Sequence, residues 1–254
     1  MSLEAFQVLG KNALVTGSHK GLGAAIAMAL ADAGANVMCH GRSPNPGPAC
    51  EEIRAAGHKT SYCSGDLADR NVPAMLVEKT IAELGSIDIL VNNAGMIRRA
   101  PAAEYSMESW DELINVNLTA VFRLSQLAGR HMLAKGAGGK ILNIVSLLSF
   151  QGGILVPAYT AAKGGLAQLT KALANEWASQ GINVNAIAPG YMATDNTAAL
   201  RDDPVRSRQI LERIPAGRWG NPKDLAGAAV FLCSPASDYI HGHVLTVDGG
   251  WLAR

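Results

Sequence analysis

Tyr159 and Lys163 stand at i and i+4 in the stretch YTAAK. On a helix that spacing puts both side chains on one face. A phenol ordinarily ionises near pH 10, too high for a base at neutral pH. A nearby ammonium favours the phenolate, and lowering the pKa by about three units takes about 4 kcal/mol, feasible for a cation in a dry cleft. Surface packing produces the same pair, so the chemistry needs further groups. Ser146 ends the apolar run from Lys140, where its hydroxyl could hold a carbonyl beside Tyr159. Asn92-Asn93-Ala94-Gly95 end another apolar run, and Asn117 lies in the helical stretch after it. Singly, each Asn also reads as a cap or turn residue.

A second constellation suits phosphate. Thr16-Gly17-Ser18-His19-Lys20-Gly21-Leu22-Gly23 follow a short apolar run and open an Ala-rich helix. Glycine permits positive φ and lets backbone N–H groups approach a pyrophosphate at a helix N-terminus. The spacing is G-x-x-x-G-x-G rather than the usual G-x-G-x-x-G. The usual fingerprint places an acid about twenty residues on, to hold the adenosine ribose hydroxyls. Here that stretch reads Cys39-His40-Gly41-Arg42, with no carboxylate. Arg42, with Lys20 in the turn, would suit a 2′-phosphate and so NADP(H), or both are solvated surface charges. Asp66 could accept from an adenine amino group or cap the next helix.

The elements that must position these groups alternate along the chain. Apolar runs predict strands at about 12–16, 36–39, 59–63, 87–91, 140–146, 182–188 and 243–247. Helical periods lie between them, the long ones at about 107–135 and 157–180. No linker or repeat divides the pattern. The expected fold is α/β: one Rossmann-type doubly wound parallel sheet of about seven strands, helices on both faces, in a single dinucleotide-binding and catalytic domain over 1–254. The segment 189–220, with a helix near 205–213, reads as a substrate-loop insertion that could close over the carboxyl ends of the strands.

Composition excludes other classes. The chain has 48% hydrophobic and 17% charged residues, and 22 Lys plus Arg against 21 Asp plus Glu. That is too apolar for disorder and too neutral to offer a field for nucleic acid or an acidic membrane. Cys39, Cys50, Cys63 and Cys233 show no C-x-x-C spacing, as expected of free thiols in a reducing cytosol. The start MSLEAFQVLG lacks the marks of a signal peptide. The longest apolar stretch, from Leu22 to Ala31, is about half a membrane span. These features predict a cytoplasmic protein.

Taken together, TGSHKGLG (16–23), NNAG (92–95), Asn117, Ser146, YTAAK (159–163) and APG (188–190) resemble the short-chain dehydrogenase/reductase superfamily. The resemblance implies that Tyr159 is the general acid/base, that Lys163 binds the nicotinamide ribose and lowers the Tyr159 pKa, that Ser146 polarises the carbonyl, and that Asn117 holds a water in a proton relay through Lys163. It implies a cofactor cradle of Gly17, Ser18, His19, Lys20, Gly21, Leu22, Gly23, Arg42, Asp66, Leu67, Asn93, Ala94, Gly95, Tyr159, Lys163, Pro189, Gly190, Met192 and Thr194. No metal is required. GMIRR (95–99), SFQGG (149–153), GYMAT (190–194), RIPAGRWG (213–220) and DGGWLAR (248–254) are similar, more narrowly, to bacterial sugar-acid dehydrogenases acting on 2-deoxy-D-gluconate or 2-dehydro-3-deoxy-D-gluconate. A sugar acid carries a carboxylate, which a guanidinium suits. Arg98 or Arg99, helped by Gln151, is the expected partner, with Ser146 and Tyr159 at the reacting carbon; a salt bridge or subunit contact is the alternative for the arginines. The narrower group is described as NAD-linked, against the reading of Lys20 and Arg42. The nucleotide, NAD or NADP, stays open with a slight lean to NAD(H). The superfamily implies a homo-oligomer, a tetramer paired through the two long helices, with Trp251-Leu252 packed on a neighbour or in its own core. A 3-oxoacyl thioester reductase or broad carbonyl reductase, and a nucleotide-sensing protein without catalysis, are the competing functions.

Overall fold

The computed structural model describes residues 3–254. Met1 and Ser2, which begin the single domain and the leaderless start expected above, lie outside them. Seven strands, β1 (Asn12–Val15), β2 (Asn36–Gly41), β3 (Thr60–Ser64), β4 (Ile89–Asn92), β5 (Gly139–Ile144), β6 (Ile182–Pro189) and β7 (Val244–Val247), pair in parallel in the order β3-β2-β1-β4-β5-β6-β7. The chain therefore reverses direction across the sheet between β1 and β4. Above their carboxyl ends a doubly wound sheet opens a crevice. The glycine-rich turn leaves β1 there, and NNAG leaves β4.

β1, β4 and β6 are buried along their whole length, as parallel strands covered on both faces must be. One core packs Ile26 and Leu30 of α1 (Gly21–Asp32) on Val15 and Val91. The opposite core packs Leu76, Leu124 and Leu173 against Leu14 and Leu90. Those three leucines belong to helices that follow α2 (Pro48–Ala55): α3 (Val72–Leu84), α5 (Ala120–Lys135) and α6 (Pro157–Trp177).

The structure departs from the sequence reading in three places that bear on the site. The helix expected over 107–135 is interrupted. α4 (Met107–Ile114) runs into a π-helical turn (Asn115–Thr119) before α5 begins. Such turns are rare and often mark functional positions; this one contains Asn117, fully buried. β5 stops at Ile144, so Ser146 lies beyond the strand. It caps a short 3-10 turn (Leu147–Ser149), accepting the Leu148 N–H at 3.2 Å. The insertion after β6 holds α7 (Ala198–Asp202) and α8 (Pro204–Leu211). It is closed at its base, where Ala193 donates to the Gly220 carbonyl (2.7 Å) and Gly220 to that of Tyr191 (2.9 Å). α9 (Ala226–Cys233) was not anticipated; its sequence AGAAVFLC is apolar all round and carries no helical period. All four cysteines are free and buried. Among the described residues no helix is long and apolar enough to cross a membrane.

Candidate active site

A cleft of about 1290 Å³ runs above the carboxyl ends of the strands, from Arg42 at one end to Trp251 at the other. Its nucleotide end rests on the turn after β1. Gly17 and Gly21 have φ of +64° and +62°, open to glycine at little cost. A Cβ at Gly17 would lie 2.9 Å from the Ala94 Cα; one at Gly23 would lie 2.3 Å from both Asn93 Nδ2 and the Gly17 oxygen. The glycines are therefore needed for close approach as well as for conformation. Asn93 closes the contact: its Nδ2 donates to the oxygens of Thr16 (2.9 Å) and Gly17 (3.1 Å). Thr16 Oγ1 accepts the N–H groups of Asn93 (3.0 Å) and Ala94 (3.1 Å).

α1 starts at Gly21 with no side-chain cap. Its first N–H groups are left for an anion in the cleft, the arrangement a pyrophosphate requires. This uncapped terminus beside bare glycine backbone fits a dinucleotide. Lining the same end are His19, Leu22, Leu67, Ala94 and Gly95, as the resemblance implies. Two residues of the expected cradle do not line it. Ser18 is fully buried and accepts the His40 N–H at 2.9 Å, so its hydroxyl shapes the turn. Gly23 lies beneath the turn, against Asn93.

His40 is a residue that sequence reasoning left without a role. Its Nδ1 accepts the Gly17 N–H at 3.2 Å, and its Nε2 lies 3.0 Å from the Gly65 oxygen. Together these require the neutral ring with the proton on Nε2. Burial pushes its pKa below the ordinary histidine value, which favours that form. The strand-like run VMCHG conceals this role, since His40 reads there as strand filler. Arg42 is exposed and lines the cleft. The chain just after it is pinned by Tyr62, whose hydroxyl donates to the Ser43 oxygen at 2.6 Å. Lys20, the other expected cation, is 2.5 Å from Asp195 across the cleft mouth. Asp66 lines the cleft and also accepts the Ala68 N–H (3.0 Å), so both of its expected uses remain open.

At the centre, Lys163 Nζ donates to the Ile144 oxygen at 2.6 Å and lies 5.8 Å from the Tyr159 ring centroid. Burial brings its pKa down to about 8. Burial pushes the Tyr159 phenol up, against a hydrogen bond with Ser146 and the charge of Arg99, which both pull it down. Arg99 adds its charge to this balance, and Lys163, which the resemblance casts in that role, stands beside the ring. A Cβ on Gly95 would sit 3.3 Å from Asn117 Oδ1 and 3.9 Å from Lys163 Nζ, so Gly95 lets these groups close up. Asn117 accepts the Met96 N–H (2.9 Å) and donates to the Met96 oxygen (2.8 Å). Those bonds fix the strand-to-helix loop beside Lys163.

At the substrate end the expected arginines separate. Arg98 Nε and Nη2 both bind Glu112 Oε2, at 2.9 and 2.6 Å, and Arg98 does not line the cleft. The salt bridge, the alternative noted for it, is what forms, with the Glu112 carboxylate at the cleft wall as its partner. Arg99 lines the cleft and reaches only the Asn196 oxygen, at 3.4 Å. Gln151 lines it too, with Oε1 accepting from Trp251 Nε1 at 3.3 Å. Trp251 packs in its own chain with Leu147, Ile210 and Ile214. Pro189, Gly190, Met192 and Thr194 form the wall after β6. A Cβ on Gly190 would lie 2.5 Å from the Asp248 Cα. Among the described residues no cluster of His, Cys, Asp and Glu is placed to hold a metal.

A parallel sheet with an anion-binding first turn, and a serine, tyrosine and lysine in one cleft, define a dinucleotide-dependent oxidoreductase. The chain belongs to the short-chain dehydrogenase/reductase superfamily: the family profile described as enoyl-(acyl carrier protein) reductase matches residues 17–252. It is 53% identical over 254 residues to the 2-dehydro-3-deoxy-D-gluconate 5-dehydrogenase of Dickeya dadantii, covering 100% of both chains. It is 42% identical over 248 residues to the gluconate 5-dehydrogenase of Gluconobacter oxydans, covering 97% of this chain and 96% of that one. The crystal structure of a gluconate 5-dehydrogenase from Burkholderia cenocepacia, in complex with NADP and tartrate, superposes with a TM-score of 0.95 at 40% identity over 100% of both chains.

Proposed function

We propose that the chain is an NAD(P)-dependent oxidoreductase that interconverts a secondary alcohol and a ketone of a sugar acid of the 2-dehydro-3-deoxy-D-gluconate type. The observation that carries the reading is one cleft that Ser146, Tyr159 and Lys163 line together with the glycine-rich turn, the Lys163 ammonium 5.8 Å from the centre of the Tyr159 ring. In oxidation, Ser146 and Tyr159 would hold the substrate hydroxyl between them and Tyr159 would take its proton. A nicotinamide bound in the cleft supplies the acceptor for the hydride leaving the same carbon. In reduction Tyr159 returns the proton to the carbonyl oxygen. Lys163, tied to the Ile144 oxygen, is placed to hold ribose hydroxyls and relay the proton outward, and Asn117 keeps the Gly95–Met96 segment against it. Ser146 polarises the carbonyl from its cap position.

The nucleotide we assign is NADP(H). β2 ends without a carboxylate, and Arg42, just beyond it, is exposed and lines the cleft. The lean to NAD(H) drawn from the narrower resemblance has no matching acid in Cys39-His40-Gly41-Arg42, where the ribose-binding carboxylate would stand. The solved relative named above holds NADP. An inward Arg99 supports an acid substrate over an acyl thioester, and the Ser146–Tyr159–Lys163–Asn117 set argues against a sensor without catalysis. We further assign a homotetramer built through α5 and α6, which light scattering checks directly.

Initial rates of 2,5-diketo-3-deoxy-D-gluconate reduction with NADPH and NADH, with an acetoacetyl thioester as control, test the reading. Fast sugar-acid turnover with an NADPH preference is expected. Thioester reduction without sugar-acid turnover would move the function to acyl reduction.

A further inference from the structure

A cation without a counter-ion stands at the substrate end. Arg213, just after α8, is exposed, lines the cleft, and makes no ion pair among the described residues. The neighbouring Glu212 carboxylate faces Arg208 instead, at 4.0 Å. The Arg213 guanidinium carbon lies 4.0 Å from the centroid of the Trp251 ring, a cation–π contact. Trp251 is itself fixed. It is 4% exposed, gives its indole N–H to Gln151, and meets the Tyr191 ring at 4.7 Å between centroids. Leu147, which packs against it, directly follows Ser146. The segment carrying the reactive hydroxyl and the support under Arg213 are therefore one packed unit.

A guanidinium lying over a ring engages through its face. Its N–H edge stays available for the two parallel hydrogen bonds a carboxylate accepts. The two cleft arginines also differ in setting. Arg99 stands on the loop after β4 and reaches the Asn196 oxygen, whereas Arg213 is held over Trp251 on the segment after β6.

We propose that Arg213, presented on Trp251, binds the substrate carboxylate. This rests on the sugar-acid reading above, and Arg99 then serves the reacting end. The experiment compares 2,5-diketo-3-deoxy-D-gluconate with its methyl ester in wild type, Arg213→Met, Arg213→Lys and Arg99→Met. Arg213→Met is expected to raise KM for the acid about tenfold or more, the order of a lost charge-assisted pair, with KM for the ester changed less than about twofold. Arg213→Lys should recover part of the loss, which a folding defect would not allow. Equal effects on acid and ester, or loss of the acid preference in Arg99→Met alone, would overturn the proposal. Calorimetric titration of tartrate into the NADP-loaded protein separates the two readings if neither substrate is turned over. Binding abolished in Arg213→Met keeps the carboxylate site while the sugar-acid reading fails. Equal binding in wild type and variant, or none in wild type, sinks the site as well.

Discussion

The two ends of the cleft are held by different kinds of contact. At the nucleotide end, Ser18, His40, Asn93 and Thr16 cross-link the turn after β1 to β2, β4 and the chain beyond β3, through buried or half-buried groups. Each bond satisfies a backbone group that would otherwise be stranded away from water. At the substrate end, the segment after β6 meets the rest of the cleft through Lys20–Asp195, Arg99 to Asn196, and Arg213 over Trp251, all with exposed charges. Preorganised backbone suits a ligand part that never varies, such as a pyrophosphate. Long, exposed side chains on a loop can be exchanged without refolding the sheet, and that suits substrate choice. Damage to the first end should therefore appear in folding and cofactor affinity, and damage to the second in selectivity. The reacting centre lies between them and should affect neither.

The sharpest test of that division is Tyr159→Phe. The ring and its packing stay, and the proton acceptor goes. Turnover should fall by about a hundredfold to ten-thousandfold, with the dissociation constant for NADP(H), followed by fluorescence, nearly unchanged. Retention of more than about a tenth of wild-type kcat would refute the acid/base role. Next in size is Gly23→Ala, whose methyl would press on Asn93 Nδ2 and the Gly17 oxygen. Overpacking of this kind costs about 1–3 kcal/mol, so the melting temperature should drop and cofactor affinity with it. Gly152→Ala, where nothing lies within 4 Å of the new atom, is the matched control at the other end and should do neither. Equal losses at both positions would erase the distinction.

That contrast also explains what the sequence revealed. The sheet was legible because strands buried on both faces are continuous apolar runs, and the nucleotide end because glycines mark a turn that a Cβ would block. Tyr159 and Lys163 were legible through helical spacing and Ser146 through its strand end, with the resemblance joining them. Side-chain partner choice was not legible. Arg98 and Arg99 are adjacent and chemically identical in sequence, and only the fold brings Glu112 to one of them. Nothing in the sequence shows that the Ser18 hydroxyl accepts the His40 N–H. Arg213 and Trp251 lie far apart in the chain and meet only through packing around Leu147 and Ile210. The π turn at Asn117 has no local signature, and the two bonds that its side chain makes to Met96 appear only in the fold.

Two smaller effects probe how far the substrate end is tuned by charge. Oxidation needs the Tyr159 phenolate, and burial places that group above the ordinary tyrosine value. The oxidation rate should therefore climb as pH rises through the neutral range and beyond. Arg99 favours the phenolate, so Arg99→Met should move the climb to higher pH, while reduction, which uses the protonated phenol, keeps its neutral-pH rate. An unshifted oxidation profile would remove Arg99 from the reacting end. The smallest effect is expected at Lys20 and Asp195, both well exposed; such pairs contribute little and are screened by salt. Asp195 nevertheless holds the one turn cation that a 2′-phosphate would want. Asp195→Asn should release Lys20 and lower KM for NADP(H), by less than about fivefold at low ionic strength, while leaving KM for NAD(H) alone. The gain should vanish in added salt and in the Lys20→Met background. A gain that appears equally with NAD(H) would mean the pair acts by closing the loop over the cleft, and would shift the coupling between the two ends from charge to geometry.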